Sequence, residues 1–543
     1  MLGFKLKFLG GFMISKNKLG KVFSIIALIS TLVACSDSSV KAIKKDEKVE
    51  MTNIKEKAIE EVKPVSVSHI SNDKFNYKLI NADEKNEKIL FQDKYTDIEG
   101  VLTFRGNHYR TSPSYGVSDI KQKKLDINWE YLTSSSSWGG GAGWTGQPAL
   151  VKWPSEIKSK MNVSEEFKKK KDAVEVIYAS LDGNVYFLDM ETGKETREKI
   201  RVGNPIKGSV SIDPRGLPLL YVGEGINENG VVGFNIYSLI DGSQLFELSG
   251  SDSDAPRSWP AFDSSAIVSA DTDSVIVGGE NGILYRIKLN SNYDKKNNTI
   301  SVKPELSKYT YGMGSRLGIE NSVAAYANLV YFADNSGKIQ CVDINTMKPV
   351  WIVDGVDDID ATLTVEVENK VPYIYIGNEV DHQGAVGEAK LKKINGVTGE
   401  VIWDKAFKCS SLLGPDPVNG GLLSTPAVGK NKISDKVYFS LSRYNGFNKG
   451  LLVALNKKTG DIEWEKELDN YAWSSPTDFY DKDGNGYIIQ GDSAGRMFLI
   501  DGKTGKTLNH VDLNANIEAS PAIFNNSIVV ASRNSTIYGI EIK

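Results

Sequence analysis

One short turn recurs along the chain, and it limits the fold more than any other feature of the sequence. A strand of alternating apolar residues ends in Asp or Asn, a Thr-Gly pair follows, and a second strand often carries Trp. The clearest copies are VYFLDMETGKETREKI from Val185, LVALNKKTGDIEWEKEL from Leu452 and MFLIDGKTGKTLNHVDL from Met497. The Asp or Asn side chain bonds its own backbone two residues on, and the glycine adopts the positive φ that closes a hairpin. The repeat predicts a series of antiparallel hairpins.

The last copy contains Gly-Lys-Thr at residues 505–507, which resembles the end of a phosphate-binding loop. Such a loop needs a glycine five positions before Gly505, so that the backbone can approach the phosphates, and the residue there is Ile500. Other copies of the turn have Glu400 or Asp461 where this copy has its lysine. We therefore interpret the stretch as a structural turn and predict no nucleotide site.

Two more strands precede each hairpin, and the first of them often begins near Ser-x-Pro-Ala. The second strands are predicted to start near eight positions, which are Val176, Leu219, Ser274, Leu329, Pro372, Lys436, Gly486 and Ser527. Repeats of four short strands are typical of propeller blades, so we predict an all-β protein with an eight-bladed β-propeller. The eighth unit lacks its fourth strand, and LDINWEYL at 125–132 is predicted to supply it and close the ring, because an open edge would invite aggregation.

The first residues of the chain form an export signal. The apolar run 22–34 follows several lysines and is too short to span a bilayer comfortably, as in the hydrophobic region of a signal peptide. The run ends in Leu-Val-Ala-Cys, which resembles a bacterial lipobox, so we predict a lipoprotein signal peptide over 1–34 and lipid attachment at Cys35. The alternative is an ordinary signal peptide and a chance cysteine. The true start is either Met1 or Met13.

The segment after Cys35 is rich in charged and polar residues. Residues 35–98 show no broad apolar face, so we predict a lipidated, disordered tether there and the propeller domain over 99–543. The protein is then exported and anchored by its lipid to the outer side of the bacterial cell membrane. Removal of the five lysines of the signal takes the net charge from −4 to −9, which argues against a nucleic-acid partner.

Histidine and cysteine are scarce. The four histidines include no pair at metal-ligand spacing, so a site built on histidine is not expected. Besides Cys35 the chain has Cys341 and Cys409, which either form a disulfide or remain as two buried thiols. The tryptophans Trp351, Trp403 and Trp464 recur at one position of the repeat, and we predict that they pack between neighbouring blades.

The repeat Ala/Ile-Asp/Asn-x-x-Thr-Gly-x-x-x-Trp resembles that of the pyrroloquinoline-quinone-like (PQQ-like) propeller family. FRGNHYRTSPSYG, from Phe104 to Gly116, is similar to a segment often found ahead of the first blade in that family. The resemblance covers residues 101–543. It implies either a quinoprotein dehydrogenase, whose funnel holds the quinone and calcium, or a non-catalytic scaffold, among them the lipoprotein of the outer-membrane β-barrel assembly machine.

The pattern implied for the dehydrogenases is incomplete in this chain. Their vicinal disulfide requires two adjacent cysteines, and no two cysteines are adjacent here. No Glu/Asn/Asp set that would hold calcium can be placed in the sequence. The expected function is therefore a non-catalytic scaffold at the cell envelope that binds protein or glycan partners, with envelope protein assembly as one version. The alternatives are a dehydrogenase that depends on PQQ and calcium, and a glycan-binding module.

Aromatic and cationic residues precede several innermost strands and should face the mouth of the funnel. We predict a binding rim for a ligand or partner that consists of Trp144, Arg257, Trp259, Arg316 and Trp473. The alternative is that the tryptophans pack between blades.

One stretch resembles a calcium-binding loop. DKDGNGYIIQGD places Asp481, Asp483 and Asn485 at the first three ligand positions of an EF-hand loop, but its twelfth residue is Asp492 and not Glu. The alternative is a hairpin turn that needs no ion. No cofactor is therefore expected; calcium at this loop is the one candidate, and PQQ is not expected.

Overall fold

The structure of the protein is a computed structural model that describes residues 59–63, 76–82, 87–143, 146–312, 316–414 and 417–543. The described residues belong to one compact unit, Ala58–Lys543. The predicted signal peptide over 1–34, the lipid-attachment residue Cys35 and the rim residue Trp144 lie outside the described residues. Within these ranges no helix is both long and apolar enough to cross a membrane.

Eight antiparallel four-stranded blades surround a central axis, which confirms the predicted all-β, eight-bladed propeller. In blades 1 and 2 the strands, from the axis outward, are Ala149–Lys152, Glu175–Ala179, Asn184–Asp189 and Ile200–Arg201, then Ser211–Ile212, Leu219–Gly223, Gly233–Ser238 and Gln244–Ser249. In blades 3 and 4 they are Ile267–Ser269, Ser274–Gly278, Ile283–Lys288 and Glu305–Gly312, then Ala324–Tyr326, Leu329–Ala333, Lys338–Asp343 and Lys348–Asp354.

The second half of the ring has the same order of strands. In blades 5 and 6 they are Thr364–Glu368, Val371–Ile376, Val386–Asn395 and Val401–Ser410, then Ala427–Val428, Lys436–Ser442, Gly450–Asn456 and Ile462–Leu468. In blades 7 and 8 they are Thr477–Tyr480, Gly486–Gly491, Arg496–Asp501 and Thr507–Asp512, then Ala522–Phe524, Ser527–Ser532, Thr536–Ile542 and Leu125–Leu132. Every second strand starts within one residue of the position predicted from the repeat.

The ring is closed by the strand Leu125–Leu132, as predicted. It pairs antiparallel with Thr536–Ile542, from Leu125 opposite Ile542 to Leu132 opposite Thr536. One blade therefore contains both ends of the propeller sequence, and the last strand of the chain has no open edge.

Short hairpins and helices lie in the connections between the strands of the blades. Two small hairpins lie in loops, Ser135–Ser136 with Gly139–Gly140 and Asn292–Asp294 with Thr299–Ser301, and the strands Glu379–Val380 and Gly420–Gly421 pair above blades 5 and 6. The helices are Ser155–Lys158, Glu165–Lys169 and the 3-10 turn Asn431–Ile433.

The folded part begins before the predicted boundary at residue 99. Strand Asn76–Ile80 pairs with Glu305–Gly312 and forms a fifth, outermost strand of blade 3. Ile89 and Phe91 are buried, and the Phe91 N–H donates to the Ala327 carbonyl oxygen. The described part of the predicted tether is therefore bound to blades 3 and 4. This part of the chain is so rich in charged residues that its few apolar residues, which attach it to the blades, were not predicted to be buried.

Tryptophan packs against the Thr-Gly turn of the next blade at four junctions, which explains why both residues recur. The Trp403 indole N–H donates to the Lys457 carbonyl oxygen at 3.0 Å, and its ring covers Gly460. Gly460 has a φ of +72°, and a Cβ atom there would lie 2.8 Å from the Trp403 ring. The equivalent pairs are Trp129–Gly193, Trp351–Gly399 and Trp464–Gly505. The turn that resembled a phosphate loop is thus a docking surface for Trp464.

The segment 99–118 is here called the axial segment. It runs across the end of the channel at which the first and second strands of each blade are joined, here called the lower end, and it bonds to all eight blades. It adds the strand Glu99–Val101 to blade 1 and pairs Ser114–Tyr115 in parallel with the innermost strand of blade 8. Its carbonyl oxygens at Leu102, His108 and Tyr109 accept N–H groups of blades 2, 4 and 5. The innermost strands have no neighbour on their axial side, so this segment satisfies polar groups that would otherwise be buried unpaired.

Two fully buried arginines of the axial segment complete these contacts. Arg105 donates to the carbonyl oxygens of Pro476 and Pro426 in blades 7 and 6, at 2.8 and 3.3 Å. Arg110 donates to the carbonyl oxygens of Ser265 and Val323 in blades 3 and 4, at 2.7 and 2.9 Å. A guanidinium carries five N–H donors in a rigid plane and so can bridge strands that do not touch each other.

A ring of small polar residues circles the channel at the start of the innermost strands. Its members, all buried, are Gln147, Ser209, Ser265, Ser322, Thr362, Thr425, Ser475 and Ser520. At five junctions of the described chain the backbone N–H of one member donates to the hydroxyl of the next, for example Ser265 to Ser322 at 2.9 Å. In blades 6, 7 and 8 the ring member is the residue directly before a proline, namely Thr425, Ser475 and Ser520.

We expect Gly460→Ala to destabilise the propeller more than Gly242→Ala does. Gly242 sits in the corresponding turn of blade 2 with a φ of +80°, but the nearest atom to a Cβ there is 3.8 Å away. Both substitutions carry the backbone strain of about 1–2 kcal/mol, and Gly460→Ala adds a clash with the indole of about 1–3 kcal/mol. Urea unfolding measures the difference, and equal losses in the two variants would contradict the docking role of Trp403.

His108 makes stability depend on pH. The side chain is fully buried among Phe91, Tyr95 and Tyr109, and neither ring nitrogen has a hydrogen-bond partner. Burial, with Arg110 nearby, lowers the pKa of His108 to about 3. Because the unfolded pKa is about 6.5, the stabilisation is complete above pH 6.5 and is lost as the pH falls towards 3.

We therefore expect His108→Phe to reduce the acid sensitivity of the protein. Between pH 7 and pH 5 the free energy of unfolding of the wild type should fall by about 2 kcal/mol more than that of the variant, as measured by urea unfolding. His510→Gln, which changes an exposed histidine, serves as the control and should behave as the wild type. If the free energy of unfolding falls equally with pH in His108→Phe and in the wild type, His108 is not buried in its neutral form.

Candidate functional site

The axial segment does not cover the loops on one face of the propeller, and we call this face the upper face. Strands alternate in direction, so the loop from one blade to the next and the turn between second and third strands lie on the same side. The axial segment closes the channel from the other side, where first and second strands are joined. The upper face is therefore at the end of the channel that the axial segment does not close.

Six carboxyl groups gather on the upper face of blades 3, 4 and 5, and we call them the acidic cluster. They are Asp263, Glu280, Glu320, Asp358, Asp360 and Glu379. Asp263 and Glu280 are 0% and 1% exposed, and one oxygen each of Asp263, Glu280 and Glu320 lie within 4.8 Å of one another. Loops between blades supply most members, while Glu280 and Glu379 come from turns between second and third strands.

Few cationic groups and hydrogen-bond donors contact the acidic cluster. Lys207, from the loop into blade 2, forms an ion pair with Asp263 Oδ2. The Asn335 amide nitrogen lies 3.1 to 3.2 Å from an oxygen of Glu320, Asp358 and Asp360. Arg257 acts through Asn335, since its guanidinium donates to Asn335 Oδ1 at 2.8 Å.

Three carboxyl groups of the acidic cluster have pKa values well above the ordinary value. Burial, and then the charges of neighbouring carboxylates, raise the pKa of Glu280 and Glu379 well above the ordinary value. Burial and Glu379 act in the same way on the pKa of Asp358. Burial lowers the pKa of Lys207, but Asp263 and Glu280 outweigh it, so its pKa is raised. The cluster therefore holds Lys207 charged and favours cations.

The described residues of the predicted rim all lie on the upper face, but they form two groups. Arg257 and Trp259 share the loop into blade 3, where Arg257 reaches the acidic cluster and Trp259 is 42% exposed. Arg316, in the loop into blade 4, is exposed, and its Nη1 lies 3.9 Å from an Asp381 oxygen of blade 5. Trp473, in the loop into blade 7, is half-buried and donates to the Ser442 hydroxyl at 3.1 Å.

The predicted calcium loop lies on the lower face, between the first two strands of blade 7. Its three residues contact one another, because Asp481 accepts the backbone N–H groups of Asp483 and Asn485 at 3.0 and 2.9 Å and the Asn485 side-chain amide at 2.7 Å. Asp492 lies beyond the strand Gly486–Gly491 and accepts from Arg496 instead. The structure therefore does not bring the twelfth position of the loop to the other three. Calcium at Asp481 remains a prediction.

The acidic cluster was not predicted from the sequence, although the repeat contains a signal for it. Three members stand two positions before a residue of the polar ring, as in Asp263-Ser264-Ser265. The same position is occupied by Lys207, Leu423, Trp473 and Glu518 in other blades. An alignment of the repeats on the polar ring would thus have identified the side chains that line the channel mouth.

Comparison with known proteins agrees with this fold. A sequence model of the family described as outer membrane protein assembly factor BamB matches residues 448–543. No curated protein matches the chain.

Solved structures resemble most of the propeller. The quinohemoprotein alcohol dehydrogenase ADHIIG from Pseudomonas putida HK5 aligns with a TM-score of 0.53 at 12% identity, over 82% of this chain and 80% of its own. A quinohemoprotein alcohol dehydrogenase from Comamonas testosteroni gives a TM-score of 0.53 at 14% identity with the same coverage. BamB from Moraxella catarrhalis is 18% identical over 77% of this chain and 98% of its own, with a TM-score of 0.47. At these identities the likeness concerns the fold alone. Together with the repeats, it shows that the chain has the fold of a PQQ-like β-propeller.

Proposed function

We propose that this protein is a non-catalytic scaffold of the bacterial cell envelope that binds protein partners through the upper face of its propeller. The observation that carries the proposal is the exposure of large side chains around that face. Trp259 is 42% exposed, Trp138 is 50% exposed, and the Arg316 side chain is 56% exposed. Tryptophan and arginine are the residue types that most often dominate binding energy at protein interfaces.

The axial segment supports the same proposal. It fills the lower end of the channel with Arg105 and Arg110, both fully buried, and ties all eight blades together. A partner can then contact the mouth of the channel only from the upper face. Such a rigid ring presents its loops in fixed positions, which reduces the entropy lost on binding.

The envelope location rests on the sequence of the first 35 residues and on the matched family model. The lipobox that ends at Cys35 would anchor the protein at the outer side of the membrane. The model that matches residues 448–543 is named for an outer membrane protein assembly factor. Assembly or maintenance of envelope proteins is therefore the form of scaffold function that we favour.

A quinoprotein dehydrogenase is the alternative, since two such enzymes share the fold. The described residues do not fit the quinone site that the family resemblance implies. Cys341 lies in the third strand of blade 4 and Cys409 in the outermost strand of blade 5, and both are buried free thiols. They cannot supply a disulfide between adjacent residues beneath a quinone. The dehydrogenase alternative predicts dye-linked alcohol oxidation after addition of PQQ and calcium to the full chain, and we expect none.

A photo-cross-linking residue at position 259 should capture a discrete envelope protein in living cells. Ile462 is the matched control, because it is 49% exposed but lies on the outermost strand of blade 6. Arg316→Glu in the position-259 strain should remove the adduct without a change in melting temperature, because the side chain is exposed. Adducts are resolved by gel electrophoresis and mass spectrometry.

Three results would contradict the proposal. Equal labelling from positions 259 and 462 would mean that the upper face is not the binding surface. Alcohol oxidation that requires PQQ would make the protein an enzyme. Adducts that contain wall glycan instead of protein would favour the glycan-binding alternative.

A further inference from the structure

A polar cavity of about 680 Å³ lies at the lower end of blade 3. One wall comes from blade 3, and the other comes from Asn81, Glu87 and Ile89, which precede the axial segment. Sites that bind small molecules usually have volumes of about 300–1,000 Å³. The cavity is thus large enough for a ligand, and none of its described lining residues belongs to the acidic cluster or to the binding rim.

Arg286 places a positive charge on the wall of this cavity without a counter-ion. The residue is 5% exposed, and its guanidinium donates to the Ser307 hydroxyl at 3.1 Å and to the carbonyl oxygens of Ile344 and Asn345 at 2.9 and 3.3 Å. All three partners are neutral, and within the described residues Arg286 forms no ion pair. A guanidinium has five N–H donors, so at least two remain for a ligand. Because a buried charge is normally paired, Arg286 is suited to an anionic group of a ligand.

The other charged groups of the cavity leave one carboxylate over. Lys288 forms an ion pair with Glu87 at 3.0 Å, so these two charges compensate each other. Glu305 accepts a hydrogen bond from the Asn290 amide at 3.0 Å, and no cation of the described chain pairs with it. The lining therefore contains one unpaired cation, Arg286, and one unpaired anion, Glu305.

These two unpaired charges lie on neighbouring strands of blade 3. Arg286 is opposite Ser307 in the pairing of the third and fourth strands. Glu305 stands two residues before Ser307 and so lies on the same face of the sheet. Such diagonal neighbours are about 7–8 Å apart, and two extended residues of a peptide span about 7 Å. The cavity can therefore contact both ends of a short peptide at once.

Two hydroxyl groups of the lining can accept hydrogen bonds from the backbone of such a peptide. Thr272 donates its hydroxyl hydrogen to Ser269 at 2.8 Å, and Ser274 donates its own to the Thr272 carbonyl oxygen at 2.9 Å. Both hydroxyl oxygens keep lone pairs for a ligand. The cavity thus offers a cation, an anion and neutral acceptors, which are the partners that a peptide with free ends requires.

We propose that this cavity binds a short zwitterionic peptide of two or three residues. The terminal carboxylate contacts Arg286, the terminal ammonium group contacts Glu305, and a peptide N–H donates to Thr272 or Ser274. A guanidinium and a carboxylate form parallel charge-assisted hydrogen bonds, so the free C-terminus is the feature that the site recognises most strongly. The site lies at the lower end of blade 3 and does not depend on the proposed scaffold function.

Isothermal titration of the full chain with dialanine and trialanine tests the proposal. Both peptides should bind to the wild type. Amidation of the C-terminus and acetylation of the N-terminus should each weaken binding at least about tenfold, because each removes a contact between charged groups.

Three variants assign the two ends of the peptide. In Glu305→Gln, whose side chain is exposed, acetylation should no longer weaken binding, whereas amidation still should. Arg286→Gln should remove the difference between free and amidated peptides. Glu305→Gln keeps the test decisive if the variant at the buried Arg286 does not fold. Arg201→Gln changes an exposed arginine of blade 1 and should bind as the wild type does.

Three results would overturn the proposal. The first is the absence of heat with millimolar dialanine and trialanine in the wild type. The second is equal binding of the free and amidated peptides, since the carboxylate would then have no role. The third is an equal effect of acetylation in the wild type and in Glu305→Gln, which would show that Glu305 does not bind the ammonium group.

Discussion

The fold depends on how the innermost strands satisfy their backbone groups at the axis. Eight strands converge there, and each has an edge that faces the channel and not another strand. A buried carbonyl or N–H group without a partner is costly, so these edges need water or another element of the chain as their hydrogen-bond partner. The axial segment supplies that element, with a strand at each end and the guanidinium groups of Arg105 and Arg110 between them.

This closure divides the propeller into two functional faces. The lower face contains the axial segment and its aromatic surroundings, where even His108 is held without a charge. The upper face keeps its loops, which differ in charge around the ring, with carboxylates on blades 3 to 5 and Leu423 and Trp473 on blades 6 and 7. A rigid ring that presents unlike loops suits the recognition of a partner, because the loops can vary while the blades do not.

The blades could be predicted from the sequence because the residues that specify each of them are close together in the chain. The Asp/Asn and Thr-Gly pattern specifies each hairpin by turn chemistry, and the recurring tryptophan marks the next blade against which it packs. The strand Asn76–Ile80 was not predicted, since pairing with an outer edge needs backbone groups and not a distinctive sequence. The acidic cluster was not predicted either, because Asp263 and Glu320 are 57 residues apart and meet only through the curvature of the ring.

The most direct test of this account is hydrogen exchange of the axial segment in the full chain, measured by mass spectrometry. Peptides from residues 99–118 should exchange as slowly as those from the innermost strands, because their amides open only when the ring does. Exchange of these peptides within seconds, while the blades remain protected, would contradict the account. The axial segment would then be a surface loop, and the channel would be open at both ends.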